Sequence, residues 1–220
     1  MTNEGIFRHI DHTLLKAVSS WAEIDKLCAE AIRFRTASVC VPPSYVKPIS
    51  NAYGNLNICT VIGFPLGYSV SAAKQRESEA ALADGASELD MVINIGDVKN
   101  GAFTQVEEEI SALKKITGTH ILKVIVETCY LTQEEKIRLC QIVTSSGADY
   151  IKTSTGFGTA GAAIEDVLLF KEHIGPGVKI KAAGGVKTRD DLEKFLGAGC
   201  DRIGTSSAIA LLTGGGAEGY

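Results

Sequence analysis

Short apolar runs rich in β-branched residues recur along the chain at positions 10–14, 37–41, 57–62, 88–93, 121–127, 149–154, 178–183 and 201–204. Each has the length of a strand, and longer segments with helical periodicity separate them. Two of these, SAAKQRESEAALADGA and LTQEEKIRLCQIVTSSGA, start near Ser or Thr and close on a Gly-Ala pair. Those are the residue types that satisfy the free N–H groups at a helix start and the left-handed turn at its end. In the second, Thr132 and Glu135 have the spacing of a capping box, and Ile137, Cys140, Gln141 and Thr144 mark the expected face.

Strand followed by helix, repeated, requires a parallel sheet, because a parallel crossover needs the length of a helix where a hairpin needs only a turn. Eight such runs predict closure into a (β/α)8 TIM barrel, and 220 residues make it a compact one. An open doubly wound sheet is the alternative that pattern alone leaves standing. No linker or low-complexity segment divides the chain, so residues 1–220 are expected to form a single domain, with 213–220, TGGGAEGY, as a flexible tail.

Composition narrows the partners. The balance of 22 basic against 26 acidic residues, with no basic run or interleaved aromatics, argues against nucleic acid. No segment reaches the ~18 apolar residues of a membrane span, and MTNEGIFRHIDHTLLK lacks the basic-then-apolar order of a leader, so the expected location is the cytoplasm. Cys28, Cys40, Cys59, Cys129, Cys140 and Cys200 fall singly in apolar segments and read as reduced core residues. His9, His12, His120 and His173 form no compact ligand set, so neither a metal nor a cofactor is expected.

In such barrels the reactive groups sit at the carboxyl ends of the strands. Three ionisable residues stand there: Asp90 in SELDMVIN, Lys152 in DYIKTST and Lys181 in VKIKAAGG. Strand alternation sends Leu89 and Met91 outward and Asp90 inward with Glu88 and Val92; the same parity turns Lys152 away from Ile151 and Lys181 away from Ile180. A buried Asp–Lys bridge is the structural alternative. Two lysines close together, both buried, predict that one is a free amine near neutrality. Such an amine adds to a carbonyl to form a Schiff base, and with Asp90 and Lys181 as a proton relay the set fits a class I aldolase.

Gly184 and Gly185 follow Lys181, and GTSSA follows the last run, placing Gly204, Ser206 and Ser207 where backbone N–H groups and hydroxyls bind a phosphate. Simple helix capping by the serines is the competing use. Residues 156–161, GFGTAG, spell a dinucleotide fingerprint, which keeps a nucleotide-dependent oxidoreductase as an alternative. Its late position and the absence of an acid after the next strand favour glycines, Gly156 among them, that let the backbone approach a substrate. Phe64, in the turn with Gly63 and Pro65, is expected to shape the pocket mouth.

The segments DHTLLK, SVCVPPSYV, TVIGFPLG, ELDMVINIG, LKVIVET, YIKTSTGF, KIKAAGGV and RIGTSS, in this order, resemble the deoxyribose-phosphate aldolase family along almost the whole chain. The resemblance implies a barrel that reversibly cleaves 2-deoxy-D-ribose 5-phosphate to acetaldehyde and D-glyceraldehyde 3-phosphate, acting on small sugar phosphates and aldehydes as a homodimer. It implies Lys152 as the Schiff-base lysine, Lys181 as its perturbing neighbour and Asp90 as the proton relay. Gly184, Gly185, Gly204, Ser206 and Ser207 fall on the phosphate motifs, Asp11 and Thr155 on further polar positions, and Tyr220 on a terminal tyrosine able to reach the mouth. Where some members carry a lysine after K-T-S-T-G, this chain has Phe157. A non-catalytic sugar-phosphate binding barrel is a further alternative, against which the two lysines and the acid argue, since binding alone has no need of a free amine.

Overall fold

The structure is a computed structural model and describes residues 1–214. Strands β1 (Ile10–Thr13), β2 (Ser38–Val41), β3 (Ile58–Ile62), β4 (Glu88–Val92), β5 (Ile121–Ile125), β6 (Tyr150–Lys152), β7 (Lys179–Ala183) and β8 (Arg202–Thr205) pair in parallel, each with the next, and β8 returns to β1. This closed barrel is the (β/α)8 architecture, and it removes the doubly wound alternative. Around it run α1 (Asn3–Phe7), α2 (Trp21–Phe34), α3 (Val46–Ala52), α4 (Ser71–Ala83), α5 (Ile95–Lys99), α6 (Phe103–Thr117), α7 (Gln133–Ser145), α8 (Ile164–His173), α9 (Arg189–Ala198) and α10 (Ala208–Thr213). Among the described residues, no helix is long and apolar enough to cross a membrane.

The main core lies between strands and helices. Leu89, Met91, Val124, Ile151, Ile180 and Ile203 on the outward strand faces join Ile24, Ile110, Leu139 and Phe170 from the helices in one apolar cluster. Helix α2 buries Ile24, Leu27, Cys28 and Ala31 at helical spacing, and its start is fixed by a capping box of Ser20 and Glu23. The expected box of Thr132 and Glu135 is formed at α7, but the buried face is Leu139, Cys140, Ile142 and Val143, with Gln141 exposed. The face is rotated because the helix packs on α6 and α8 as well as on the sheet, a demand that one apolar stripe does not reveal. At α4, Ser71 is already helical and the N-cap is Val70, without a side-chain cap. This helix has little apolar face. Its buried Lys74 instead binds Glu109 of α6 at 2.8 Å and donates to the Val92 carbonyl at 2.8 Å, tying α4 to the end of β4.

Strand β6 is shorter than the run that predicts it. After Lys152 the chain leaves the sheet, and residues 153–163 are irregular. Thr153 still bonds the Lys181 carbonyl and the Thr128 N–H, and two residues on the Thr155 N–H is taken by the Glu127 carboxylate, not by a strand carbonyl. Thr213, counted in the expected tail, is the last residue of α10, and residues 215–220, including Tyr220, lie outside the described residues.

Candidate active site

The inward faces of the strands hold charge where most barrels hold branched apolar side chains. Register sets Asp90 beside Lys123 and Lys152 beside Lys181. Asp90 Oδ2 accepts from Lys152 Nζ at 2.7 Å and from Lys181 Nζ at 2.6 Å, while its Oδ1 accepts from Lys123 Nζ at 2.9 Å and from the Cys59 thiol at 3.1 Å. Asp11 binds Lys181 from the other side, accepts from Ser38 at 2.7 Å and pairs with Arg202. Glu88 pairs with Lys123 at 2.5 Å and with Arg202 at 3.3 Å. The Tyr150 ring closes this cluster, with Lys123 Nζ at 6.0 Å and the Arg202 guanidinium at 5.7 Å from its centre. Lys123, Lys152, Lys181 and Arg202 thus face Asp11, Glu88 and Asp90, four basic side chains against three carboxylates.

The two lysines therefore meet through a carboxylate, and the electrostatics follow. Burial opposes ionisation of Asp90, but Lys123, Lys152 and Lys181 outweigh it and hold the carboxyl well below the ordinary range. Asp11 is likewise lowered against burial by Lys181, Lys123 and Arg202. Burial also opposes the charge on Lys181, yet Asp11 and Asp90 raise it above the ordinary lysine range. Lys123 is raised in the same way by Asp90 and its neighbours. Lys181 is thus a firmly held cation.

Asp11→Asn should test this balance. Folding depresses the pKa of Asp11, so its contribution is complete above the ordinary aspartate value near ~4 and is lost as pH falls through the folded value. Removing one partner of a buried pair costs about 3–5 kcal/mol. Urea unfolding midpoints should show that gap between wild type and variant at neutral pH and a shrinking gap below about pH 4. A gap that stays constant on acidification would mean that the ionised carboxylate is not its source.

Above the cluster opens a cavity of about 340 Å³. Of the three expected catalytic residues, Lys152 lines it, whereas Asp90 and Lys181 lie beneath its floor. Thr13, Leu15, Thr155, Gly156 and Phe157 form its walls, and Gly184, Gly185, Lys187, Gly204, Ser206 and Ser207 its far end.

A sequence model described as DeoC/LacD family aldolase matches residues 7–212. The chain is 61% identical to the deoxyribose-phosphate aldolase of Clostridium botulinum over 100% of both chains, and 55% identical to that of Clostridioides difficile over 94% of this chain and 95% of the relative. The solved deoxyribose phosphate aldolase of Aeropyrum pernix, described as a tetramer, superposes with a TM-score of 0.90 at 31% identity, covering 96% of this chain and 91% of that one. The chain belongs to the DeoC/LacD family of aldolases.

The far end of the aldolase cavity is built from turns that only glycine allows cheaply. Gly184 and Gly185 both have φ of 77°. A Cβ on Gly161 would lie 2.4 Å from the Gly184 carbonyl carbon, so the β6 and β7 loops interlock backbone to backbone. The Ala162 N–H donates to the Ala183 and Gly184 carbonyls at 3.1 and 3.2 Å. GFGTAG is therefore tied to β7, and α8 starts three residues beyond it, at Ile164, unlike a fingerprint that opens a helix. Gly204 has a second use besides lining the cavity: a Cβ there would meet Lys181 Cε at 3.1 Å, so its absence clears the path of that side chain.

Ser207 is the N-cap of α10 but makes no side-chain cap; its hydroxyl meets Thr205 Oγ1 at 3.0 Å and donates to the Val186 carbonyl at 3.4 Å. Phe64 is not part of the cavity lining. It packs edge-on against Phe157, with ring centres 5.3 Å apart, and so acts on the wall from behind. Asp11 is likewise not at the pocket surface but below it, under Lys181.

Several residues of this aldolase site escaped the sequence reading. Lys123 carries the same parity as Asp90, and applying alternation to β5 would have found it. Arg202, Lys187 and Glu127 gave no periodic signal, because they depend on where β8 and two loops end. Cys40 and Cys59, expected as core residues, sit in register on the inward face with Leu15 and Val61 and with Phe64 against them. Cys40, Cys59 and Asp90 each offer a metal-ligating atom within 4.8 Å of the others, but Asp90 is engaged by three lysines.

Proposed function

We propose that this aldolase reversibly cleaves 2-deoxy-D-ribose 5-phosphate to acetaldehyde and D-glyceraldehyde 3-phosphate through a Schiff base on Lys152. The observation that carries the reading is that, of the cluster residues, Lys152 joins the cavity to the buried charges: its Nζ donates to Asp90, and its side chain lines the pocket. Lys152 attacks as the free amine, adding to the C1 aldehyde; the carbinolamine loses water to give an iminium. The C3 hydroxyl proton leaves, the C2–C3 electron pair flows into the iminium to form an enamine, and C3 departs as the aldehyde of glyceraldehyde 3-phosphate. Protonation of the enamine at C2 and hydrolysis release acetaldehyde and restore the amine. Lys181, held protonated, and Asp90 pass the protons of carbinolamine formation and dehydration through water.

The substrate phosphate rests at the far end, against the backbone N–H groups of the Gly184–Gly185 turn and the Gly204–Ser207 segment, with the Ser206 and Ser207 hydroxyls and the Lys187 ammonium. Lys187 supplies there the cation that Phe157 does not. Gly156, Thr155 and Phe157, backed by Phe64, form the wall along the sugar, and Asp11 holds Lys181 from below.

Acetaldehyde release, followed with a coupled alcohol dehydrogenase, tests this reading, with 2-deoxyribose as the unphosphorylated comparison. The phosphate ester should be strongly preferred, and Lys187→Ala should narrow that preference by about tenfold through loss of one charge-assisted contact. No turnover of the phosphate ester would sink the proposal. The enzyme of this proposal is a cytoplasmic homodimer, and exposed Leu66, Tyr68 and Val70 in the β3–α4 connection are the apolar residues to probe by sedimentation.

A further inference from the structure

Glu127 follows β5 and has a backbone conformation that non-glycine residues rarely adopt, with φ of 57° and ψ of 66°. Its side chain is 2% exposed; burial pushes its carboxyl above the ordinary range, although the bonds from Thr155 and, more weakly, nearby Lys152 oppose this. A buried, strained acid at a strand's carboxyl end needs an explanation, and outliers of this kind cluster where a site is being held in shape.

Its bonds run to one segment. Glu127 accepts from the Thr155 N–H at 3.2 Å and 3.3 Å through its two oxygens, and from the Thr155 hydroxyl. Thr155 Oγ1 in turn accepts from the Phe157 N–H at 3.0 Å. On the next turn, a Cβ on Gly158 would meet the Glu127 carboxyl carbon at 3.1 Å and Cys129 Sγ at 2.9 Å, so the chain passes directly over the acid. Meanwhile the flanking backbone is latched to the end of β6 and the residue after it, Val126 N–H to the Lys152 carbonyl at 3.0 Å and Thr128 N–H to the Thr153 carbonyl at 2.9 Å.

We infer that Glu127 is a positioning residue: anchored on the strand that carries Lys152, it sets the Thr155–Phe157 wall of the cavity and thereby the fit of the sugar-phosphate half of the substrate. It acts through Thr155 and touches no reacting atom. The inference rests on the proposed substrate only for its kinetic readout.

Glu127→Gly is the sharpest variant, because glycine adopts the same backbone without strain and only the carboxylate is lost. Hydrogen–deuterium exchange should quicken at the Thr155 and Phe157 amides by about tenfold while the β6 amides stay protected. KM for deoxyribose 5-phosphate should rise by about tenfold, whereas the rate of borohydride-trapped acetaldehyde adduct formation on Lys152 should change less than about twofold. Glu127→Gln, which keeps an acceptor oxygen, should recover most of the KM. Unchanged exchange at Thr155 and Phe157 would overturn the inference, as would a fall in adduct rate with KM unaltered, which would place Glu127 in the chemistry of the lysine. Absence of wild-type turnover would sink the substrate reading, and the exchange comparison would still decide this one.

Discussion

Lys152→Ala should yield no reduced adduct when the protein is treated with acetaldehyde or deoxyribose 5-phosphate and borohydride, and turnover should fall by at least about four orders of magnitude, as when an enzyme's nucleophile is removed. The specificity of the label is the stronger half of this prediction. Lys123, Lys152 and Lys181 lie around one carboxylate, yet only Lys152 lines the cavity. Peptide mapping of trapped wild-type protein should therefore place the added mass on Lys152 and leave the other two unlabelled. A label on Lys181 or Lys123 in active protein would reject the assignment of the nucleophile. The variant should remain folded, because Asp90 keeps Lys123 and Lys181 as partners, and a far-ultraviolet circular dichroism spectrum checks that.

Asp90→Asn carries the second large effect. The amide keeps the shape of the side chain but removes the anion shared by the three lysines, so both the proposed proton relay and the electrostatic centre of the cluster are affected. Loss of a positioned acid–base group lowers kcat by about 10²–10⁴-fold. KM should move far less, since Asp90 lies below the cavity floor and touches no phosphate-end residue. Adduct formation on Lys152 should slow together with kcat, because carbinolamine dehydration needs the same protons. Wild-type kcat with a slowed adduct rate, or the reverse, would separate Asp90 from the relay. Stability will fall as well, so rates are best compared well below the unfolding temperature.

The difference between what the sequence disclosed and what it concealed follows from the range of each force. Alternation along a strand is local, so parity alone placed Asp90, Lys152 and Lys181 on one inner surface, and closure of the barrel brought together residues as far apart as Asp11 and Lys181. The polarity of that surface was harder to foresee. Lys123 in the middle of β5 and Arg202 at the start of β8 look like ordinary charges until their partners Glu88 and Asp11 arrive from distant parts of the chain. The carboxylate that bonds both lysines is hidden for the same reason, since Asp90 reaches them from a separate strand. Helix capping was legible at Thr132 because four residues suffice to write it, whereas the face of α7 is decided by two neighbouring helices. Glu127 left no trace at all in periodicity, because its conformation and its bond to Thr155 belong to the meeting of two loops.

That meeting has a counterpart one strand further on, where Gly161 rests against the carbonyl of Gly184. With no side-chain atoms between the two loops, there is nothing there to trim or enlarge; a methyl group at Gly161 would have to displace the neighbouring main chain. Variation in this region must therefore be concerted, and isolated substitutions at either glycine should be purged in selections for new substrates. The side of the pocket formed by Leu15 and Phe157, with Phe64 packed behind Phe157, has no such constraint. Acceptance of bulkier aldehydes should evolve there, by changes of side-chain volume, while the glycine seam stays fixed as the rigid jaw against which the adaptable one closes.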